Sequence, residues 1–527
     1  MAETILEEVK EIRLLKTKRE RIILILCSLV TGVVTGAVVA AYRILLDKIS
    51  IFRNNFNENM TFGKFLIGLL FFILIGVIVQ FMLSKNPLIG GSGIPQVSAF
   101  LQRKLKFRWF PELFCKFWGG VLAIGAGMSM GREGPSIHLG ALIGEGIDRL
   151  LKRKEVENKY LVTAGASAGL AAAFNAPLAG AIFALEELHK FFSPLMLICV
   201  LVASGGSGMM LRKIIGSGVT FKYNFHLPTE TSQMKVFVIT AIFCLILALG
   251  GKCFNTYLIY FQDKYKGIKL NKYVKISLFM VLAFLISIFF KDITGGGHEL
   301  IEKMFDARLP IKILAIVLVA KFLYTMICYG TGFPGGIFLP MLVIGALVGK
   351  IYGTILVAYF GIPQEFVVHF MLLGMAGYLT ASVKAPITGV ILIMEMTGNF
   401  SYLFMLIIVS TGTYILTELL SMEPIYEILL ERLISGKKDA NEKVPLESRI
   451  VTILIHVGID SEFDNKKVKD LKLPKKVLIV GIRSGGKEFI PNGETVVKSG
   501  DQLVIMTDHE TAKKYSHELK ERGMKMK

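Results

Sequence analysis

Three glycine-flanked segments and a few isolated acids carry the chemistry this sequence permits. Gly91-Ser92-Gly93-Ile94-Pro95, Gly131-Arg132-Glu133-Gly134-Pro135 and Gly336-Ile337-Phe338-Leu339-Pro340 each set glycine just ahead of a proline-marked helix start. Helix N-termini present unpaired N–H groups and a partial positive charge, so several of them converging on one point make an anion site. Glycine lets those N–H groups approach an ion closely. A neutral hydroxyl beside them, from Ser92 or a tyrosine, is a suitable donor to a halide. A cation filter would instead need convergent carbonyls or carboxylate rings, and the sequence has neither a TVGYG-like run nor a cluster of acids inside its apolar stretches. Among the few acids left in apolar surroundings, Glu133 and Glu187 come first, with Glu186 beside the latter. An acid in an otherwise apolar helix is by default a functional residue. On the residues alone, plainer roles stay open. Glu133 and Ser92 also suit ordinary helix caps, Tyr426 suits an interfacial belt, and Glu186 and Glu187 suit a helix end facing water beside His189 and Lys190.

These residues need elements to hold them, and the composition says where those elements sit. Of 527 residues, 53% are hydrophobic and 19% charged, against about 25% charged in soluble domains; mean hydropathy is +0.58. No soluble core of this size hides so much apolar surface, so most of the chain belongs in lipid. From Ile22 to about Ile434 there are roughly ten to twelve apolar runs, several with the length of a spanning helix. The clear ones are Ile22–Leu46, Phe65–Leu83, Val236–Leu258, Ile276–Phe290, Ile311–Tyr329 and Phe404–Leu420. The shorter ones are broken at the glycine segments above, and also at Gly295-Gly296-Gly297 and Gly332-Phe333-Pro334-Gly335-Gly336. Broken helices at membrane depth are tolerated only where they are buried or line a cavity, and so mark an ion or substrate site.

An internal repeat strengthens this. A shift of 205 residues lays Gly131–Pro135 on Gly336–Pro340, Gly140–Gly144 on Gly345–Gly349, and Gly90-Gly91 on Gly295-Gly296. A shift of 209 lays Ala176-Pro177, Gly180 and Glu186 on Ala385-Pro386, Gly389 and Glu395. Four matches in one order at nearly one offset predict a duplicated membrane domain with its site at the interface of the repeats. The repeat by itself leaves open whether the halves are parallel or inverted.

The formal net charge is +19. It clusters between apolar runs, at Lys10–Arg21, Arg103–Arg108, Arg149–Lys154 and Lys264–Lys275. Without an RNA-binding signature, this reads as cytoplasmic loop charge rather than a nucleic-acid surface. The six cysteines are scattered singly, with no CxxC or Cys-His cluster, so neither a metal nor a disulfide framework is indicated. The sequence has no HExxH motif and no convincing Ser-His or paired-Asp site that points to an enzyme. Residues 1–21 read as a polar cytoplasmic segment, and Ile22–Leu46 is too long for a cleaved signal. Residues 436–442 read as a polar linker. Beyond it, short β-rich runs at Ile450–Val457, Val477–Ile482 and Gln502–Met506, then a helix over Thr511–Lys520, predict a small α+β cytoplasmic domain.

In order and spacing, the motifs at Gly91–Pro95, Gly131–Pro135 and Gly336–Pro340, with a tyrosine in Glu423-Pro424-Ile425-Tyr426, resemble those of the CLC family of chloride channels and proton-coupled chloride transporters. The resemblance spans about residues 20–435. It implies an all-α polytopic membrane fold of two inverted halves with broken helices, assembled as a homodimer with one anion pathway per subunit. It also implies roles for single residues: Ser92 and Tyr426 would supply hydroxyls to a central chloride, and the N–H groups of Ile337 and Phe338 would complete that site. Glu133 would be the gate whose carboxylate competes with chloride when ionised and swings away when protonated. Glu187 matches the inner proton glutamate of the exchangers, with Glu186 its neighbour. Fluoride-exporting relatives depart from the serine motif, so Ser92 sets this chain apart from them.

The tail is similar to the TrkA C-terminal (RCK-C) regulatory domain, on Lys469–Pro474, Val477–Arg483, Ile490–Thr495 and Ser499–Leu503. That likeness spans 443–527 and implies a dimerising module for a small ligand such as a cyclic dinucleotide. Arg483 and Lys487 suit phosphate partners, and either alone suits a solvated surface better. The whole is expected to be a chloride/proton antiporter of the cell membrane, with no cofactor, both termini cytoplasmic, and lipid, chloride and protons as partners. The alternatives are a passive chloride channel of the same fold and, on the tail alone, a cation transporter.

Overall fold

A computed structural model describes residues 18–435 and 450–524, apart from 153–154, 191, 217, 219–220, 222–232, 307–308, 459, 475 and 485–486. Most of the expected N-terminal segment, the whole linker at 436–442, the first residues of the 443–527 tail and the Lys487 side chain lie outside the described residues. The chain divides into two bodies, the larger ending at Ser435.

The larger body is helical. Its first copy comprises α1 (Lys18–Asn57), α2 (Phe62–Lys85), α3 (Ile94–Leu101), α4 (Trp109–Gly125), α5 (Glu133–Leu151), α6 (Glu155–Phe174), α7 (Pro177–Phe183) and α8 (Pro194–Ile215). The second comprises α9 (Gln233–Gly267), α10 (Lys272–Phe289), α11 (His298–Asp306), α12 (Ile311–Gly330), α13 (Phe338–Phe360), α14 (Phe366–Val383), α15 (Pro386–Thr397) and α16 (Leu403–Leu419); α17 (Ile425–Ser435) follows. Among the described residues, nine helical segments are long and apolar enough to cross a membrane. Helices at the periphery keep large apolar side chains outward, such as Phe62, Leu70, Phe237 and Phe289, as a lipid-facing surface requires. By contrast, α14 is buried from Val367 to Val383, and its apolar side chains point in every direction.

The innermost helices pack in repeat-related pairs, α5 on α6 and α13 on α14. Small residues let their backbones touch: a Cβ on Gly140 would strike the Gly165 carbonyl, and one on Gly345 the Gly374 carbonyl. Backbone conformation repeats as well. Gly91 and Gly93 have φ of +61° and +95°, and Gly295 and Gly297 have +59° and +96°. The register here is therefore 204, one residue short of the 205 read from Gly90-Gly91, because the helix-breaking turn and not the first glycine is what the two copies share. The halves meet in an antiparallel bridge between Gly131 and Gly336. A second bridge between them, from Gly91 to Pro334, is parallel.

The smaller body is an antiparallel sheet in the order β1-β4-β2-β3, made of β1 (Ile450–His456), β2 (Leu478–Ser484), β3 (Lys487–Phe489) and β4 (Gln502–Asp508), with α18 (His509–Met524) packed on β1. Ile453, Ile455, Phe463, Ile482, Leu503, Ile505 and Leu519 form its core. The tail runs and helix expected from sequence all appear, with β3 added.

Arg522 at the end of α18 forks onto Glu462 at 2.9 and 2.8 Å and also donates to the Leu471 carbonyl at 2.9 Å. The guanidinium hydrogen bonds hold the Glu462 carboxyl below its ordinary range. A carboxyl depressed in the folded state contributes stability above its unfolded pKa, about 4.3, and loses it as pH falls through the folded value. Because the Glu462 side chain is 38% exposed, screening limits the pair to under about 1 kcal/mol. Arg522→Gln should lower the melting temperature of this body by a few degrees at pH 7 and leave it nearly unchanged at pH 3, measured by scanning calorimetry; an equal loss at both pH values would assign the effect to packing.

Candidate functional site

Gly131 donates its N–H to the Gly336 carbonyl at 2.7 Å, and Gly336 returns the bond to Gly131 at 2.8 Å. Each glycine stands two residues before a helix, so α5 and α13 start from one junction. The loop ahead of α3 is tied to it: the Gly91 N–H donates to the Gly332 carbonyl at 3.1 Å, and the Gly335 N–H to the Gly91 carbonyl at 3.1 Å. Three helix N-termini, from residues as far apart in sequence as Ser92 and Phe338, are thereby brought together. Close packing at this junction demands glycine, since a Cβ on Gly134 would lie 2.8 Å from the Ser92 Cβ.

Ser92 is 1% exposed and accepts the Ile94 N–H on Oγ at 3.2 Å. The Tyr329 hydroxyl faces it from α12. Ile337 and Phe338 are wholly buried, and the Phe338 ring is held between Phe174 and Phe183, with centroids 5.4 and 5.7 Å away. Tyr426 begins α17, which packs on α3. Its hydroxyl is buried without a hydrogen-bond partner, within electrostatic range of both Glu133 and Glu187. That hydroxyl is where an interfacial tyrosine would not be.

Glu133 is 1% exposed, and its carboxylate accepts the backbone N–H groups of Glu133 and Leu339. It therefore caps α5 and α13 together, occupying their shared positive end as an anion would. Its second oxygen is buried without a partner. Arg132 beside it pairs with Asp47 at 3.0 Å.

Glu186 and Glu187 separate in role. They sit on a π-helical turn, Ala184–His189, that extends α7, a local widening often found at functional sites. Glu186 reaches across to the second copy, accepting the N–H groups of Ile387 and Thr388 at 3.1 and 2.7 Å and the Thr388 hydroxyl at 2.7 Å. Glu395 returns the favour, accepting Leu178 and Ala179 N–H at 3.1 and 2.7 Å. Each acid is an N-cap for the other half. Glu187, one residue on, turns inward: it is 5% exposed and lines a cavity of about 380 Å³ with Lys190, Lys384, Glu418 and Glu427. The Lys190–Glu427 ion pair stands at that cavity. The capping role open to both acids thus falls to Glu186 alone. Glu186→Ala and Glu395→Ala should each lower the protein's melting temperature in detergent by several degrees, as expected for charge-assisted caps worth about 1–2 kcal/mol. An unchanged melting temperature in both would refute the reciprocal caps.

Two buried lysines were not read from the sequence. Lys116 donates to the Ile89 and Gly91 carbonyls at 2.8 and 2.7 Å, and Lys321 to the Ile293 and Gly295 carbonyls at 3.1 and 2.8 Å. Both are 0% exposed. They are 205 residues apart, and matching lysines under the repeat shift was the signal that would have found them. Each fixes the carbonyls of the loop before a short helix, leaving that loop's N–H groups to face elsewhere.

The comparisons with known proteins agree with this architecture. A family profile described as voltage gated chloride channel matches residues 72–418, and a TrkA-C domain profile matches 453–520. The H(+)/Cl(-) exchange transporter ClcA of Vibrio cholerae serotype O1 is 31% identical over 433 residues, 80% of this chain and 92% of that protein. The protein of the same name in Citrobacter koseri is 31% identical over 448 residues, 82% and 92% of the two chains. Among solved structures, a slow cyanobacterial Cl-/H+ antiporter matches with TM-score 0.74 at 28% identity, over 79% of this chain and 98% of that one. A CLC-type fluoride/proton antiporter matches with TM-score 0.65 at 25% identity, over 78% and 98%.

Proposed function

The chain belongs to the voltage-gated chloride channel (CLC) family, and on that premise we propose that it exchanges chloride for protons across the cell membrane. One observation carries the reading. The buried, unpartnered Tyr426 hydroxyl lies within electrostatic range of two buried glutamates, Glu133 at the junction of helix N-termini and Glu187 at a separate cavity. A channel needs only the anion path; an exchanger needs two proton stations flanking it. Chloride is held by the hydroxyls of Ser92 and Tyr426 and the N–H groups of Ile337 and Phe338, donors without the carbonyls or carboxylates a cation would require. Glu133 leaves the α5–α13 junction when protonated, vacates the place of an anion and carries a proton. Glu187 receives protons from the other face. The similarity to H(+)/Cl(-) exchange transporters and to a Cl-/H+ antiporter supports this cycle, and Ser92 supports chloride over fluoride.

The protein works as a homodimer, each subunit with its own pathway, and its basic loops hold both termini in the cytoplasm. The TrkA-C body binds a small regulatory ligand such as a cyclic dinucleotide, and α17, which carries Tyr426, runs in sequence straight to the linker ahead of it. The decisive experiment is reconstitution in liposomes with simultaneous chloride and pH readout: opposed, stoichiometrically linked fluxes are expected, and chloride movement without protons would make the protein a channel. Deleting residues 441–527 should preserve basal exchange while removing any response to a cyclic dinucleotide; a retained response would exclude the tail as the sensor.

A further inference from the structure

The second copy of the glycine loop frames a second cavity, distinct from the junction at Ser92 and Glu133. Gly295–Gly297 repeats the left-handed turn of Gly91–Gly93, and Lys321 engages its carbonyls as Lys116 engages those of the first copy. The exchange is reciprocal even at the next bond, with the Gly295 N–H donating to the Gly127 carbonyl where the Gly91 N–H donates to that of Gly332. The N–H groups of Gly296 and Gly297 have no acceptor among the described residues. Together with the N-terminus of α11, they line a cavity of about 230 Å³, roomy enough for an ion with several waters.

Arg53 supplies the independent observation. It lines the same cavity, is 8% exposed, and its four acceptors are all neutral: the Gly125 carbonyl at 3.2 Å, Ser50 Oγ at 3.2 Å, Asn54 Oδ1 at 3.3 Å and Thr294 Oγ1 at 3.4 Å. Its Nε–H is buried without a partner. A buried guanidinium with no carboxylate hydrogen-bonded to it is costly unless a counter-charge arrives. The other charges at the cavity are largely committed: Arg132 to Asp47, Asp292 to Lys303 and Lys291 to Glu58. Glu299 in the first turn of α11 is exposed and lies within electrostatic range of Arg53, without a hydrogen bond to it. Gly296 takes the place of Ser92 in the repeat and brings no donor side chain, while Arg53 lines the same cavity.

We propose that this cavity is a further halide-binding station, formed by the Gly296 and Gly297 N–H groups and Arg53. It lies on the face bearing Arg132, and chloride occupies it before reaching the place that the Glu133 carboxylate holds. The inference rests on the anion pathway proposed above and adds to it a pseudo-symmetric copy of the central site. Inversion of the repeat sends the copy outward, and a guanidinium replaces the hydroxyl pair.

The probe is bromide, read by anomalous diffraction from crystals of the full-length protein, with chloride dependence of reconstituted exchange measured from each face. A bromide peak is expected beside Gly296, Gly297 and Arg53, in addition to one between Ser92 and Tyr426. Arg53→Lys should keep it. Arg53→Leu should abolish it, and Ser50→Asp should do the same by giving the guanidinium a carboxylate, which keeps the test available if the leucine variant does not fold. Both changes should raise the half-saturating chloride concentration about tenfold from the Arg132 face alone. A peak at Ser92 with none in this cavity, or an equal shift from both faces, would overturn the station while leaving the central site intact. Bromide at neither place would instead refute the anion pathway itself.

Discussion

Glu133→Gln should stop proton movement while chloride continues to flow. Glutamine keeps the length of the side chain and cannot carry a proton through the cycle, so the loss isolates chemistry from packing. Acid–base groups placed on the path of a proton contribute roughly a hundredfold or more, and proton flux in liposomes should fall by at least that factor. Turnover should also lose its pH dependence, because the carboxylate that competes for the α5–α13 N-termini no longer titrates. The geometry gives the reason: the wild-type carboxylate accepts N–H groups from Glu133 and Leu339, one from each helix. Proton flux that is unchanged beside normal chloride flux would remove Glu133 from the proton path.

Glu187→Gln has the second large effect expected. Proton flux should fall at least about tenfold with chloride flux retained, since the variant removes the proposed inner proton station, which is away from the anion junction. Glu187 is buried at its cavity, and it is Glu186 that holds α15 through three hydrogen bonds. The substitution should therefore spare the melting temperature, in contrast to Glu186→Ala. Loss of both fluxes together with stability would make Glu187 a structural residue. Simultaneous chloride and pH electrodes, with a melting curve on the same sample, separate these outcomes.

Neighbouring residues show how far sequence reasoning reaches. Glu186 and Glu187 are adjacent acids in one apolar run, and no pattern of types tells them apart. Their difference comes from the π-helical turn, which directs one side chain across to the opposite half and the other inward. Lys116 and Lys321 looked like ordinary basic residues within apolar runs. Only the folded loops show that each fixes two carbonyls. Tyr329 was one aromatic among many until α12 set its hydroxyl facing Ser92.

What the sequence by itself determined is local. Apolar runs of spanning length, glycine before proline at each helix start, and the repeat near 205 residues follow from side-chain transfer energies and backbone sterics, which act within a few turns of chain. Those features were enough to read a duplicated membrane domain and to name candidate residues for an anion site. Tertiary structure alone decided where the two copies join, at the Gly131–Gly336 and Gly91–Pro334 bridges. It alone exchanged the Glu186 and Glu395 caps between halves and left Arg53 buried with only neutral hydrogen-bond acceptors. Those outcomes depend on contacts between residues some two hundred positions apart, and the free energy of burying a charge or an N–H group is set by which distant atoms arrive to meet it.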